Sequence, residues 1–176
     1  MASTTTKKAF VTGGSGYVGR NILRTLIQTG FEVRALARSE ASANVVQKLG
    51  AEPVMGDLSN TQVLLEGMTG AHYLIHAAAD TGHGSMETSQ QEKSNLDGTR
   101  NVYEQAAIAG ARRAIHLSSE AVLLTGHPLV NADETHPTPE NAAGDDSRTK
   151  AQAEQYHSSL TRRDPASYRG LQEDII

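Results

Sequence analysis

The chain has 176 residues, a formal net charge of −4 at pH 7 and no cysteine. This length suits one domain with a single substantial core. The negative charge argues against a nucleic-acid partner, and without cysteine there is neither a disulfide framework nor a cysteine-based zinc site. Because no apolar run is long enough to span a membrane and the start does not resemble a signal peptide, we expect a cytoplasmic protein that does not bind membranes.

In the first half of the chain, short apolar runs alternate with segments that have helical periodicity. The first run, 9–11, predicts a buried strand that ends at a glycine-rich turn, and a helix is predicted over 16–28. A second strand is predicted over 31–37 and a second helix over 41–49, followed by a brief third strand over 52–55. Both helical patterns are followed by a glycine, which is a common helix terminator.

The same alternation continues in the second half of the chain. A short helix ends near Gly67, and a nearly continuous run of apolar or small residues predicts a fourth strand over 72–79. A long helix is predicted over 87–109 and a fifth strand over 113–118. After a polar, proline-containing loop, the last helix begins near Ser147.

This alternation, with its short connections, predicts parallel strands joined by right-handed crossovers. We therefore expect an α/β fold, a Rossmann-type doubly wound parallel sheet of about five strands that covers residues 9–157. Residues 1–8 are expected to form a flexible tail. Residues 158–176 contain no apolar strand run and are left as an unassigned C-terminal tail. Without a further strand, the sheet edge at the fifth strand is expected to be uncovered.

A glycine-rich turn lies between the first predicted strand and the first predicted helix. It has the spacing Gly-x-x-Gly-x-x-Gly and reads Thr12-Gly13-Gly14-Ser15-Gly16-Tyr17-Val18-Gly19. In dinucleotide-binding folds the first glycine permits the tight turn, the second lets the backbone approach a pyrophosphate, and the third lets the helix pack on the strand. Free N–H groups at the helix N-terminus then hold the anion. We predict an NAD(P) site with these pyrophosphate-binding residues: Gly13, Ser15, Gly16, Tyr17, Val18 and Gly19. The alternative is a purely structural turn.

The end of the second strand indicates which cofactor the turn would bind. NAD-binding domains usually place an acidic residue there to bond the ribose hydroxyls. This chain has Arg38 followed by Ser39 instead. An arginine can pair with a 2′-phosphate through two hydrogen bonds, and a serine hydroxyl can add another. The pair favours NADP over NAD; the alternative is that Arg38 is a solvated surface arginine.

Five further motifs follow the glycine turn in chain order. They are Gly56-Asp57-Leu58, His76-Ala77-Ala78-Ala79, Asn95-Leu96-Asp97-Gly98-Thr99, Leu117-Ser118-Ser119-Glu120-Ala121-Val122 and Ser147-Arg148-Thr149-Lys150-Ala151. Together with the turn, these motifs resemble the extended short-chain dehydrogenase/reductase superfamily. The resemblance is closest to its NAD-dependent epimerase/dehydratase, dihydroflavonol-reductase-like and 3β-hydroxysteroid-dehydrogenase-like members, and it covers residues 8–155.

The resemblance implies further cofactor contacts. Asp57 and Leu58 match a turn that contacts the adenine, and the alanines at 77–79 match the small residues beside the nicotinamide ribose. Asn95 matches a helix residue with a structural or proton-relay role. Two of these residues have simpler interpretations, because Asp57 could cap the following helix and Asn95 could face solvent.

The superfamily's chemistry uses a serine, a tyrosine and a lysine, with the tyrosine four residues before the lysine. Ser119 and Lys150 match the serine and the lysine, so the resemblance implies that both are catalytic and that Lys150 also binds the nicotinamide ribose. Asp146 occupies the tyrosine position. A carboxyl group has an ordinary pKa near ~3.9, against about 10 for tyrosine, so Asp146 would have no proton to donate at neutral pH. A simpler role is that Asp145 or Asp146 caps the helix that begins near Ser147.

The resemblance implies hydride transfer between NADP(H) and a hydroxyl or ketone group, in an oxidoreductase or epimerase-like enzyme. The aspartate at the tyrosine position favours two alternatives, a non-catalytic dinucleotide-binding protein with a sensor or regulatory role and an inactive truncated fragment. Superfamily members usually continue into a C-terminal substrate-binding region, so we expect this chain to correspond to a C-terminally truncated member. A truncated gene product, a frameshift product and a natural short form are all consistent with this. Because that region selects the substrate, the sequence does not identify which small molecule reacts.

Two further expectations concern partners and metals. Related enzymes often dimerise through two helices, so we expect a homodimer through helices 87–109 and 147–160. The histidines are scattered and show no i, i+4 pair, which argues against a metal site. They are His72, His76, His83, His116, His127, His136 and His157.

Overall fold

The computed structural model of the chain describes residues 6–79, 96–125, 127–133, 136, 139, 145–163 and 171–176. Within these residues one parallel sheet is formed by β1 (Lys8–Thr12), β2 (Glu32–Ala37), β3 (Glu52–Met55), β4 (Tyr73–His76), β5 (Arg113–His116) and β6 (Gln172–Ile175). The strand order is β3-β2-β1-β4-β5-β6, and the direction of winding reverses between β1 and β4. This is the order of the doubly wound Rossmann fold, so the predicted fold class is confirmed.

Helices connect or follow these strands in the described part of the chain. They are α1 (Tyr17–Gln28), α2 (Glu40–Lys48), α3 (Thr61–Met68), α4 (Gly98–Ile108), α5 (Asp145–Arg163) and a 3₁₀ turn (Glu120–Leu123). The helix predicted over 87–109 is present as α4, and its first part, 87–95, lies outside the described residues. None of the described helices is both long and apolar enough to cross a membrane.

Both faces of the sheet are buried, which is why its central strands are almost entirely apolar. Successive residues of β1 show the alternation. Phe10 packs with residues of α3 and α4, and Val11 packs with residues of α1 and α2 on the other face. Both side chains are fully buried, and burial of a side chain of this kind contributes about 1.5–3 kcal/mol. The two core clusters therefore hold β1, and with it the start of the glycine turn, from both sides.

Strand β6 corrects the expectation of about five strands with an uncovered edge at the fifth. It pairs in parallel with β5, with Gln172 opposite Arg113 and Asp174 opposite Ile115. Arg113 Nε also lies 2.5 Å from Asp174 Oδ2, and this hydrogen bond raises the pKa of Arg113. β6 is held by backbone hydrogen bonds and by this ion pair, so it does not need apolar side chains on both faces. Its sequence therefore lacks the apolar pattern from which strands are predicted.

The last helix is longer than predicted at both ends. Helix α5 begins at Asp145, two residues before Ser147, and continues to Arg163. Asp145 and Asp146 therefore lie inside the first turn of the helix, and the prediction that one of them precedes it as a cap is wrong. A carboxylate in the first turn is still favoured by the helix dipole. The stretch 158–176 thus contributes the end of α5 and the whole of β6.

Candidate functional site

The loops that follow β1 and β4 meet at the point where the strand order reverses. Thr12, the last residue of β1, lies opposite His76, the last residue of β4. In doubly wound sheets, ligands bind in the crevice outside the carboxyl ends of the strands at this point. The glycine turn follows Thr12 and residues 77–79 follow His76, so the structure brings together two of the predicted cofactor-binding segments.

The glycine turn is packed so closely that two of its positions admit no side chain. A Cβ atom at Gly13 would lie 2.6 Å from the carbonyl carbon of Ala77, and the φ of 71° at Gly13 favours glycine. A Cβ atom at Gly19 would lie 2.0 Å from the carbonyl oxygen of Gly13. At Gly16, by contrast, a Cβ atom would meet only the Gly13 oxygen, at 3.3 Å. The first and third glycines therefore close the turn against the sheet and α1, while the second has one close neighbour and is otherwise open.

The N-terminus of α1 carries no side-chain cap and no negative charge. Its N-cap residue is Gly16, and the first turn contains no acidic residue. The next two residues are exposed, Tyr17 by 87% and Val18 by 45%. Arg20 Nε donates to the carbonyl oxygen of Ser15 at 2.7 Å, which places a positive charge beside the turn. These features fit a pyrophosphate, because the helix dipole and the uncapped N–H groups attract an anion and Gly16 leaves it space.

Three buried polar side chains tie the two loops to α4. The Thr12 hydroxyl oxygen lies 2.6 Å from His76 Nδ1 and accepts a hydrogen bond from the Ala78 backbone N–H at 3.2 Å. On the other side of the ring, His76 Nε2 lies 3.0 Å from the Thr99 hydroxyl oxygen. Thr12, His76 and Thr99 are each at most 1% exposed, and polar groups buried to this degree are stable only when hydrogen-bonded. The network therefore holds the backbone at 77–79 in place beside the glycine turn.

The loop after β3 is a turn closed by Asp57. The Asp57 carboxylate accepts hydrogen bonds from the Ser59 hydroxyl at 2.6 Å and from the Ser59 backbone N–H at 2.8 Å. The hydroxyl bond is the main cause that lowers the pKa of Asp57 below its ordinary value of 3.8. The cap of α3 is Asn60, whose side chain accepts from the Val63 N–H. The alternative in which Asp57 caps this helix is therefore wrong.

Leu58 fixes the same turn against α4. A Cβ atom at Gly98 would lie 2.8 Å from Leu58 Cδ1, so the two segments touch only because residue 98 is glycine. The Asn101 side-chain amide donates to the Leu58 carbonyl oxygen at 2.9 Å. Gly98 and Thr99 are neighbours, so α4 joins the loops after β3 and β4 through two consecutive residues. Asn95, the first residue of this motif, lies outside the described residues.

Arg38 and Ser39 follow β2, which pairs with β1 in the sheet. Both are exposed. The Ser39 hydroxyl caps α2, where it accepts from the Ser42 N–H at 3.2 Å. Among the residues that the structure describes, the Arg38 guanidinium has no hydrogen-bond or ion-pair partner. The arginine therefore has its donors available for a phosphate at this edge, whereas the serine hydroxyl already has a structural role.

The loop after β5 carries the predicted catalytic serine. The Ser119 hydroxyl oxygen accepts the Ala121 N–H at 3.2 Å and so caps the 3₁₀ turn. Helix α5 packs against this turn, which brings Ser119 and the half-buried Lys150 onto neighbouring elements. The side chain of Asp146 lies outside the described residues, so its place in the site stays a prediction.

Sequence reasoning missed several polar side chains that hold this edge together. Thr12 and His76 each end an apolar run with a polar residue, and that pattern is a signal from which their buried hydrogen bond could have been inferred. The Ser118 hydroxyl donates to the Glu154 carboxylate and joins the β5 loop to α5 across 36 residues of sequence. That pair has no local signature, because neither residue interrupts a pattern.

Folding brings two of the scattered histidines together. The ring centroids of His76 and His116 are 5.4 Å apart, and the Tyr103 ring lies 6.0 Å from the first and 6.2 Å from the second. These rings pack as a buried aromatic group beneath α4. Over the described ranges, no group of three or more histidine, aspartate or glutamate side chains is placed to hold a metal ion.

Comparison with protein families agrees with the geometry. A family model described as the 3-beta hydroxysteroid dehydrogenase/isomerase family matches residues 10–159, which include the glycine turn, Ser119 and Lys150. The chain belongs to this family. The 3-beta hydroxysteroid dehydrogenase/isomerase family is one of NAD(P)-dependent oxidoreductases within the extended superfamily, so the resemblance seen in the sequence motifs is confirmed.

Two relatives illustrate this membership of the 3-beta hydroxysteroid dehydrogenase/isomerase family. The chain is 47% identical over 148 residues to 4-hydroxy-2-methyl-3-oxo-4-farnesyl-3,4-dihydroquinoline-1-oxide ketoreductase from Stigmatella aurantiaca, a match covering 84% of this chain and 44% of that protein. It is 36% identical over 164 residues to a decarboxylating sterol-4-alpha-carboxylate 3-dehydrogenase from Dictyostelium discoideum, covering 89% of this chain and 50% of that protein. The chain thus spans about half the length of these curated relatives.

A solved structure shares the fold of this family member. It is a short-chain dehydrogenase/reductase superfamily protein from Agrobacterium tumefaciens with bound NAD, 26% identical to this chain. The two superpose with a TM-score of 0.77 over 96% of this chain and 48% of that one. The fold is therefore shared with a protein that holds a nicotinamide dinucleotide.

Proposed function

We propose that this chain binds NADP(H) as the cofactor-binding part of an enzyme that transfers a hydride between NADP(H) and a ketone or hydroxyl group. One observation carries the proposal. The glycine turn opens at Gly16 onto the uncapped N-terminus of α1, at the reversal point of a parallel sheet. When bound there, the cofactor supplies or accepts the hydride, which is chemistry that no protein side chain provides.

Side chains around the turn would hold the rest of the cofactor. The Asp57 carboxylate, whose pKa Ser59 lowers further below its ordinary acidic value, is ionised at neutral pH, so it would accept a hydrogen bond from the amino group of the adenine. Leu58 would give the adenine an apolar contact beside it. The small residues at 77–79 would leave room for the nicotinamide ribose, and the Lys150 ammonium would donate to the ribose hydroxyls.

The residues of the catalytic edge would act on the substrate oxygen. The Ser119 hydroxyl accepts the Ala121 N–H and donates to the Glu120 carboxylate at 3.5 Å. This donated bond is long, so the proton would turn towards a substrate oxygen that offers a shorter one. Asp146 stands where the superfamily has tyrosine, and as a carboxylate it can take a proton from a hydroxyl but has none to give to a ketone at neutral pH. We therefore expect oxidation of an alcohol to be the less impaired direction for this sequence.

The preference for NADP is proposed from Arg38, which follows β2 and has its guanidinium donors available. A guanidinium can pair with a 2′-phosphate through two parallel hydrogen bonds. The bound NAD of the Agrobacterium tumefaciens protein belongs to a chain only 26% identical to this one, so the test compares both cofactors directly.

The substrate class is proposed from the relatives. One is a ketoreductase for a dihydroquinoline oxide and the other a dehydrogenase for a sterol carboxylate. We infer that the reacting carbon of this protein's substrate is likewise a ketone or secondary alcohol carbon on a fused-ring compound. The compound itself would be selected by parts of such proteins that this chain does not align with, since it spans about half of their length.

Titration with NADPH and NADH tests the cofactor proposal. The wild-type chain should bind NADPH at least about tenfold more tightly, because a charge-assisted hydrogen bond contributes about 1.5–3 kcal/mol. Arg38→Ser should weaken NADPH binding and leave NADH binding unchanged. Arg112→Ser is the matched control, since Arg112 is also exposed but directly precedes β5, which is separated from β2 by β1 and β4 in the sheet.

The possible results separate the parts of the proposal. Failure of the wild-type chain to bind either dinucleotide would contradict it as a whole. Tighter binding of NADH, or an equal effect of Arg38→Ser on both cofactors, would contradict the assignment of NADP alone. NADPH binding with no conversion of fused-ring ketones or alcohols would favour the non-catalytic dinucleotide-binding protein.

A further inference from the structure

One partly buried hydrogen bond connects the loop after β5 to α5. The Ser118 hydroxyl donates to the Glu154 carboxylate. The position of Ser118 is itself fixed by the sheet, because its backbone N–H donates to the Ile176 carbonyl oxygen at 2.8 Å and the preceding Leu117 N–H donates to the His76 carbonyl oxygen at 3.0 Å. The Ser118 hydroxyl that Glu154 contacts is therefore fixed in place, because the backbone at 117–118 is hydrogen-bonded to the last residue of β4 and to the residue after β6.

Glu154 and Lys150 are four residues apart on α5, so they lie on the same side of the helix in adjacent turns. Both are half-buried. The fully buried side chains described in α5 are all small, and they lie on two sides of the helix because residues two apart point in different directions: Ser147, Thr149, Ala151 and Ala153. Small side chains interlock poorly with a neighbouring surface, so larger groups contribute more to fixing the axial position of α5. Tyr156, which packs against the core, and the Glu154 carboxylate are two of them. The hydrogen bond that Glu154 accepts from Ser118 is directional and lies one helical turn from Lys150, so it fixes α5 close to that residue.

We infer that Glu154 is a positioning residue, which through Ser118 sets the place of Lys150 at the cofactor edge. The inference rests on the proposed function, because Lys150 is expected to bind the ribose of NADP(H). A shift of α5 by one residue moves each side chain by about 1.5 Å along the helix, which is enough to break a hydrogen bond from Lys150. The Ser118–Glu154 bond therefore matters for the cofactor although neither residue contacts it.

A double-mutant cycle on NADPH affinity tests this inference without any substrate. The dissociation constant is measured for the wild-type chain, Glu154→Ala, Lys150→Ala and the double variant. Glu154→Ala should weaken NADPH binding about three- to tenfold, the range set by the net contribution of one hydrogen bond. In the Lys150→Ala background the same change should have almost no effect, because there is no longer a lysine to position.

Four further variants sharpen the result. Ser118→Ala should reproduce the loss seen with Glu154→Ala, and combining the two should add nothing. Glu154→Gln keeps an oxygen that can accept from Ser118 and should restore most of the affinity. Gln152→Ala is the matched control, since Gln152 is also half-buried on α5 but lies two residues away, on another side of the helix.

Three results would overturn the inference. One is an equal effect of Glu154→Ala with and without Lys150, which would mean that Glu154 only stabilises the fold. Another is wild-type affinity in Glu154→Ala, and the third is a loss in Gln152→Ala as large as that in Glu154→Ala. Failure of the wild-type chain to bind NADPH would instead contradict the proposed function, so the two failures are distinguishable.

Discussion

Gly16 and Gly19 lie in the same turn, and the structure predicts opposite outcomes when each is changed to alanine. At Gly19 the new Cβ would lie 2.0 Å from the Gly13 carbonyl oxygen and 2.8 Å from Gly14 Cα. Real Cβ atoms essentially never come within 3.0 Å of such atoms, and because both neighbours are backbone, either the turn or α1 must move. At Gly16 the Cβ would meet one oxygen at 3.3 Å, and a backbone with φ −73° and ψ 174° suits alanine.

The magnitudes follow from these distances. Overpacking costs about 1–3 kcal/mol, and a clash with backbone belongs at the upper end. Alanine regains about 1 kcal/mol over glycine inside a helix, so Gly19→Ala should lower the free energy of unfolding by about 2 kcal/mol. Gly16→Ala should cost only about 0.5–1 kcal/mol, the preference of an N-cap for glycine. Its main effect is on the ligand, because the methyl group occupies the approach to the pyrophosphate, and NADPH affinity should fall at least about tenfold, or about 1.4 kcal/mol.

Two measurements separate these effects. Urea denaturation gives the free energy of unfolding of each variant, and titration followed by NADPH fluorescence gives its affinity. Each variant serves as the control for the other, since both add the same methyl group to the same turn. The reasoning is refuted if Gly16→Ala destabilises the fold as much as Gly19→Ala does, or if it binds NADPH with wild-type affinity.

Three other predictions follow from the site. Because Ser59 lowers the pKa of Asp57 in the folded chain, Asp57→Asn should be less stable than wild type at pH 7. In denaturation experiments the difference should disappear as the pH falls through the lowered pKa. Thr99→Val removes the hydrogen bond to His76 and should lower the free energy of unfolding by about 1–3 kcal/mol in urea. Asp146→Tyr supplies a proton donor and should raise NADPH-dependent ketone reduction about a hundredfold. The neighbouring control variant Asp145→Tyr should not raise it.

The first five strands are predictable from sequence because each contributes apolar side chains to the core clusters. Their apolar or alternating runs are visible without knowing the partner strand. For β3 the predicted bounds are those observed, Glu52–Met55. The sixth strand is different, since Gln172–Ile175 is polar and becomes a strand only by pairing with β5. Its stability depends on a partner far earlier in the chain, which local periodicity does not reveal.

The residues of the site also divide into those that the sequence predicts and those that only the fold reveals. The glycine turn is predictable because its chemistry is contained in eight consecutive residues whose spacing has a steric reason at each glycine. The bonds that place its surroundings are long-range: 64 residues separate Thr12 from His76, and 36 separate Ser118 from Glu154. Threonine, histidine, serine and glutamate are common at exposed positions, so only the folded structure shows that these four are paired.

Helix α4 explains why the cofactor edge should respond as one unit. Gly98 is small because Leu58 of the β3 loop packs against it, and Thr99 is polar because the ring of His76 at the end of β4 bonds to it. His76 in turn bonds to Thr12, which precedes the glycine turn. A change at Gly98 is therefore expected to displace the loop after β3, and a change at Thr99 to disturb the end of β4 and, through Thr12, the glycine turn. Two adjacent residues that contact no cofactor can thus govern its affinity, because they fix the distance between the loops that would hold its two ends.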